Sequence, residues 1–170
     1  PDALLLSRER FTAHESVSQG GITIDGSENA SVQYASCCRP VPGDLIVGYL
    51  GRGEGLVVHA EDCGVARRLQ HKDAERFIGV EWSDEPVRSF ETGVLVTVSN
   101  GKGALARVAA ALAHAEADIT HVDMDDERSQ DATDLRFVVS VRDRAHLDSV
   151  LRNLKRTPSV MSAVRIRHGG

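Results

Sequence analysis

Aromatic residues are scarce in this 170-residue chain: one Trp, two Tyr and four Phe make up 4% of it. No run approaches the roughly 20 apolar residues that a bilayer-crossing helix needs, which excludes a membrane span of that kind. Charge of one sign is also missing, since 20 Lys+Arg stand against 25 Asp+Glu for a net of −5. Attraction to a polyanion is therefore not a property of the whole chain, and any nucleic-acid contact has to be local. Cysteine is limited to Cys37, Cys38 and Cys63. Three cannot all pair within one chain and two are neighbours, poor geometry for a bridge between them, so thiol or metal chemistry in a reducing, cytoplasmic compartment fits better. No secretory signal is read, and the start Pro1-Asp2-Ala3 without an initiator Met is expected of a piece cut from a longer chain.

What is present describes an ordinary globular protein of one or two small domains, 41% hydrophobic and 26% charged, long enough to bury a core without staples. Residues 1–20 read as a short helix and a linker that ends in Gly20-Gly21. Short β-like runs come next at Ile22–Ile24, Ser31–Tyr34, Leu45–Leu50 and Leu56–His59, separated by turns rich in Pro and Gly. Gly51-Arg52-Gly53-Glu54-Gly55 lies between two of these runs and reads as a hairpin loop. A helix is expected to start near Glu61, and Phe77–Trp82 makes a further strand before Pro86 marks a boundary.

Past Val87 the periods are cleaner. Val94, Val96 and Val98 alternate as in a strand, and Leu105, Val108, Ala109 and Leu112 recur at helical spacing. Ile119–Met124 is strand-like and Asp125–Asp131 is a polar turn, so the acidic residues there read as a solvated strand end. Leu135, Phe137, Val139 and Val141 alternate with period two; Asp143 is placed to cap a helix striped by Leu147, Val150, Leu151 and Leu154; Val160, Val164 and Ile166 close the series. The order βαββαβ predicts a ferredoxin-like α+β sandwich with strand order 4-1-3-2. The expected divisions are a linker over 1–20, a small β-rich cysteine domain over 21–86 and the α+β domain over 87–170.

Cys37, Cys38, His59 and Cys63, spaced C-C-x20-H-x3-C, are the densest set of soft ligands. Three thiolates and an imidazole suit a closed tetrahedral zinc site, with His59 at a strand end and Cys63 in the first turn of a helix. Both neighbouring cysteines can bind one ion only in a bent backbone, because an extended chain points them to opposite faces. The other reading is of small buried apolar cysteines beside a half-buried His59. His59-Ala60-Glu61 lacks the downstream Pro-Cys-x-x-Cys of zinc deaminases, and neither a phosphate loop nor a His-Asp metal pair is found. At the first strand–helix junction of the second domain, Asn100-Gly101-Lys102-Gly103-Ala104-Leu105 would let backbone N–H groups approach a small anion such as an amino acid, a site that a bulky side chain at Gly103 should crowd. The same residues also make a plain strand-to-helix turn.

Cys37-Cys38-Arg39-Pro40-Val41-Pro42-Gly43-Asp44, Ile46-Val47-Gly48-Tyr49, Gly53-Glu54-Gly55 and Val58-His59-Ala60-Glu61-Asp62-Cys63, in that order, resemble the C-terminal zinc-finger region of long RelA/SpoT (Rel) stringent-response enzymes. Arg88 to Arg167 resembles the ACT domain that ends them, with Asn100, Gly103, Ala104 and Leu105 in its ligand loop and Asp118-Ile119 opening its second strand. The resemblance covers about residues 20–168. It implies a zinc-finger-like domain followed by an ACT domain, which together form a regulatory, non-catalytic part of a (p)ppGpp synthetase or hydrolase. Its catalytic half would lie elsewhere on the same polypeptide. It also implies structural zinc on Cys37, Cys38, His59 and Cys63, contact of Arg39, Arg52, Arg67 and Arg68 with ribosomal RNA or uncharged tRNA, and an amino-acid effector held by Asn100 to Leu105 with Ile119 and Thr120 of a neighbouring strand or subunit. A homodimer is implied as well. Residues 36–72 carry five basic side chains against four acidic ones, so RNA affinity of this part alone should be modest. The competing reading is an amino-acid-binding ACT sensor and dimerisation module with no nucleic-acid role.

Overall fold

Period-two alternation in the first half of the chain produces five short strands, and the computed structural model shows how they join. It describes residues 22–28, 31–86, 88–99, 103–124 and 131–167. The helix expected within residues 1–20 lies outside these. The described residues divide into two compact units, one of those from Ile22 to Arg88 with Arg167, the other of those in Ser89–Ile166.

The first unit holds β1 (Ile22–Ile24), β2 (Val32–Tyr34), β3 (Ile46–Gly51), β4 (Gly55–Ala60), α1 (Gly64–Lys72), a 3-10 turn (Ala74–Arg76) and β5 (Phe77–Trp82). Their order across the sheet is β1-β5-β3-β4-β2. β3 and β4 form the expected hairpin, closed by the pair Gly51 and Gly55 around Arg52-Gly53-Glu54. Gly55 has φ +78°, and a Cβ there would lie 2.5 Å from the Ser31 carbonyl oxygen, so only glycine fits. β1 runs parallel to β5 and β2 parallel to β4.

The sheet is curled so far that its edge strands share one core. Ile24, Ile46, Leu56, Val58, Ile78 and Val80 are buried together, and Ile22 and Val32 from opposite edges pack against them. Tyr34 of β2 stacks on Trp82 of β5 at 5.9 Å with planes 3° apart. Inside the curl a Cβ on Gly48 would come within 2.5 Å of Val80 Cγ2 and 2.7 Å of Leu56 Cδ1. The opposite face, offered by Val47 and Val57, meets a second cluster of Ala35, Cys38, Ala60, Cys63 and Ala66. α1 contributes Ala66 to that cluster and so covers this face.

α1 begins at Gly64, not near Glu61 as the sequence predicts. Glu61 N–H is taken by Leu45 O and Cys63 N–H by Ala60 O, which commits Glu61 and Asp62 to a turn. Cys63, extended at φ −66° and ψ 129°, becomes the N-cap and lies just ahead of the first helical turn, a correction to the sequence reading.

The second unit is β6 (Phe90–Ser99), α2 (Ala104–His114), β7 (Asp118–Met124), β8 (Ala132–Val141), α3 (Arg144–Lys155) and β9 (Val160–Ile166). Every strand pair is antiparallel in the order β7-β8-β6-β9, which is 4-1-3-2 read from the other edge. Val94, Val96, Leu135, Phe137, Val139 and Val141 are all at most 1% exposed, as are Val108, Leu112, Leu147, Val150 and Leu154 of the helices. Each such side chain stabilises the fold by about 1.5–3 kcal/mol relative to exposure. Asp143 Oδ1 caps α3 by accepting the His146 N–H at 2.7 Å. The polar turn expected after Met124 falls, over 125–130, outside the described residues.

Candidate functional site

Two segments of the first unit bring four soft ligands together. β4 ends at Ala60 and presents His59, and the chain turns at once to place Cys63 at the head of α1. Cys37 and Cys38 arrive from the turn after β2. There Arg39 N–H bonds to Ala35 O at 2.9 Å and Arg39 takes φ +45°, which is the bent backbone that two neighbouring cysteines need to share one target.

The ligand atoms of Cys37, Cys38, His59 and Cys63 all lie within 4.8 Å of one another. Cys37 Sγ is 3.6 Å from Cys63 Sγ, 4.0 Å from Cys38 Sγ and 3.5 Å from His59 Nδ1, and Cys38 Sγ is 3.9 Å from that nitrogen. Tetrahedral zinc, with bonds of about 2.3 Å to sulfur and about 2.0 Å to nitrogen, sets sulfur–sulfur edges of about 3.8 Å and sulfur–nitrogen edges of about 3.5 Å. The donor set and its spacing fit such an ion.

The four groups sit in unequal electrostatic surroundings. Burial pushes the Cys38 thiol up to about 12, against the opposing Ala60 N–H, and burial together with the Cys63 sulfur holds Cys37 above the ordinary thiol range. Cys63 moves down. Burial opposes its ionisation, but the Ala66 amide, the Cys37 thiol and the Val65 amide outweigh it, although no side-chain hydrogen bond closes the α1 cap. Burial also lowers His59, which favours the neutral imidazole a metal requires. A bound dication would favour the thiolate at all three sulfurs.

Around this set stands a clamp that the sequence reading passed over. Asp44, 6% exposed, accepts the Val41 N–H on Oδ2 at 2.8 Å and returns its own N–H to Val41 O at 3.0 Å. Trp82 Nε1 donates to Asp44 O at 3.1 Å, and the Ala60 N–H donates to Cys38 Sγ at 3.2 Å. An Asp directly after Pro42-Gly43 is the signal that could have been read, since Asp accepts from nearby backbone in turns. An open groove of about 420 Å³ adjoins the cluster, lined among others by Cys37, His59, Tyr34, Tyr49 and Glu54.

The predicted basic residues are spread over three elements: Arg39 in the cysteine turn, Arg52 in the β3–β4 loop, Arg67 and Arg68 on α1. All but the half-buried Arg39 are exposed. In the second unit Gly103, Ala104 and Leu105 line a cleft of about 220 Å³ with Val98, Met124 and Leu135, while Asn100, Gly101 and Lys102 lie outside the described residues. Ile119 and Thr120 do not line it within one chain. Ile119 pairs with Val139, and Thr120 bonds to Glu91 and Val138 O, whereas the β7 residue beside the α2 start is Met124. Among the described residues a Cβ at Gly103 would meet Arg107 Nη1 at 3.4 Å, and φ +79° adds backbone strain to any substitution there.

A curled sheet carrying a Cys3His cluster and a ferredoxin-like sandwich define a two-domain α+β chain, and known proteins narrow it. Residues 22–83 match the model of the RelA/SpoT RIS domain and residues 86–165 that of the ACT domain. The bifunctional (p)ppGpp synthase/hydrolase SpoT of Escherichia coli K12 is 34% identical over 151 residues, 89% of this chain and 21% of that protein. The GTP pyrophosphokinase of the same strain is 27% identical over 165 residues, 96% of this chain and 22% of that protein. Among solved structures, the ACT domain from GTP pyrophosphokinase of Chlorobium tepidum aligns with TM-score 0.40 and 12% identity, covering 46% of this chain and 99% of that one. The chain belongs to the RelA/SpoT family and holds that family's RIS domain followed by its ACT domain. It spans about a fifth of the length of the curated relatives it matches and corresponds to their C-terminal part.

Proposed function

We propose that this chain is the regulatory end of a cytoplasmic (p)ppGpp synthetase/hydrolase of the stringent response, reporting ribosome, uncharged-tRNA or amino-acid status to catalytic domains on the same polypeptide. The observation that carries the reading is the RIS–ACT pair in unbroken order, at 34% identity to a bifunctional (p)ppGpp synthase/hydrolase. Within it, Cys37, Cys38, His59 and Cys63 hold a structural zinc that fixes the cysteine turn to the head of α1. A closed four-ligand site leaves no position for substrate, so the ion orders the fold and does no chemistry. Arg52, Arg67 and Arg68, with Arg39, supply local positive charge for RNA. Signalling then proceeds by shifting a conformational equilibrium of the whole enzyme.

The cleft at Gly103–Leu105 supports the second reading, in which the ACT unit binds an amino acid and works as a homodimer. One experiment separates the two. The full-length parent is assayed for (p)ppGpp synthesis and hydrolysis with and without residues 22–167, in the presence of ribosomes with uncharged tRNA or of free amino acids. The regulatory reading expects the isolated chain to turn over neither ATP and GTP nor ppGpp, and the truncated parent to lose its response to ribosomes. A truncated parent that still responds to ribosomes overturns it, and loss of the amino-acid response alone selects the sensor.

A further inference from the structure

The three thiols do not stand in equal surroundings. Cys38 is 1% exposed and its sulfur takes the Ala60 N–H, and Cys63 is 4% exposed at the head of α1. Cys37 is the half-buried one, and with His59 it lines the open groove of about 420 Å³. A small oxidant therefore reaches Cys37 first.

The fate of an oxidised Cys37 depends on which sulfur can reach it. Cys37 Sγ lies 3.6 Å from Cys63 Sγ, on a segment 26 residues away. A disulfide of about 2.05 Å needs the two to close by roughly 1.5 Å. A link from Cys37 to Cys38 starts at 4.0 Å. It would also have to span neighbouring Cα atoms about 3.8 Å apart, below the roughly 4.4–6.8 Å that disulfides adopt.

We propose that Cys37 is an oxidation site and Cys63 its resolving thiol, so that a peroxide entering the groove converts the metal cluster into a Cys37–Cys63 disulfide. In the first step the Cys37 thiolate sulfur attacks a peroxide oxygen, the O–O bond breaks, hydroxide leaves and the sulfenic acid forms. In the second the Cys63 thiolate attacks that sulfur, the S–S bond forms, the S–O bond breaks and a second hydroxide leaves. Two thiolates and one hydrogen peroxide thus give one disulfide and two hydroxide ions. Cys38 and His59 remain as donors, too few to hold an ion in a tetrahedral site, and the disulfide keeps the cysteine turn joined to α1. The loss of the ion rests on the zinc reading above; the choice of thiol pair rests on the exposure of Cys37 and on the distances.

The test exposes the reduced, zinc-loaded 170-residue chain to graded hydrogen peroxide, following zinc with a chromogenic chelator and the thiols by peptide mapping without reductant. The expected result is zinc release in step with a Cys37–Cys63-linked peptide, Cys38 recovered as a free thiol, and reversal by a dithiol reductant with added zinc. Cys37→Ser should abolish the link and Cys38→Ser should keep it; if either variant fails to fold, the map of the unaltered chain decides. Zinc retained under excess peroxide, a main product joining Cys38 to either partner, or sulfinic acid at Cys37 with no link would each overturn the proposal. A reduced chain that binds no zinc defeats the metal reading instead, and the map of the metal-free chain still decides the thiol pair.

Discussion

His146 Nε2 donates to the carbonyl of Ala115 at 2.7 Å, tying the first turn of α3 to the C-cap of α2. The other ring nitrogen, Nδ1, accepts the Arg142 N–H at 3.0 Å, which fixes the tautomer with its proton on Nε2. The ring is 6% exposed, so both backbone groups depend on it.

His146→Ala should therefore leave a part-buried carbonyl and a part-buried amide without their side-chain partner and cost about 1–3 kcal/mol. Native-state amide exchange in β6 and β8 reads this directly as faster exchange. Unchanged protection there would mean that water or a shifted side chain replaces the imidazole.

Metal removal should act on one unit only. Chelation of the zinc-loaded chain is expected to unfold the first unit, whose coupling to the ion is on the order of 10 kcal/mol. Trp82, the chain's single tryptophan, sits in that unit and reports its loss by fluorescence. Circular dichroism should retain the signal of the second unit. Protein purified under reducing conditions that carries no zinc would sink this expectation.

Asp44→Ala removes the acceptor that holds Val41 N–H and loosens the turn behind Cys38. Partners bonded directly to a ligand change metal affinity by about 10–100-fold; Asp44 acts one step further out, through the turn, so competition with a chelator of known affinity should show a loss of at most about 10-fold with the zinc stoichiometry unchanged.

Tyr34 supplies a pH prediction. Burial and the adjacent Glu28 carboxylate, 3.3 Å from its hydroxyl, raise its pKa well above the ordinary phenol value. A folded value above the unfolded one means that the neutral phenol stabilises the fold fully below about pH 10, and that this contribution is lost as pH climbs past it. Of the two tyrosines, one should ionise late in a near-ultraviolet titration, and Tyr34→Phe should delete that late step and the alkaline loss of stability that accompanies it.

Much of the second unit was legible because its residues obey one period at a time. Leu135, Phe137, Val139 and Val141 are buried as their alternation demands, and Asp143 caps the helix it precedes. His146 was not legible, since its partner Ala115 belongs to another helix and no local pattern names it. Which β7 residue adjoins Gly103 within one chain was not legible for a related reason: the antiparallel register, which brings Met124 there, is a property of β7 and β8 together. In the first unit the strands at Ile22–Ile24 and Phe77–Trp82 could be read, but not their pairing. Three residues carry too little pattern to name a neighbour more than fifty positions away. The Cys3His set was legible from spacing, whereas the Arg39 bend that lets both neighbouring cysteines join it is a backbone event that a non-glycine residue gives no sign of.

The parallel pairing of β1 with β5 also has a mechanical side. The chain enters the sheet at Ile22 and leaves it at Trp82, and in the register Ile22 with Val80 and Ile24 with Trp82 these lie at opposite ends of one two-stranded ribbon. Tension carried along the backbone through this sheet pulls the two strands past each other lengthwise, loading their hydrogen bonds together instead of peeling them apart one by one. The junction thus resists a pull in the direction in which neighbouring segments of a chain would apply it, while a sideways force at either edge would meet only one bond at a time.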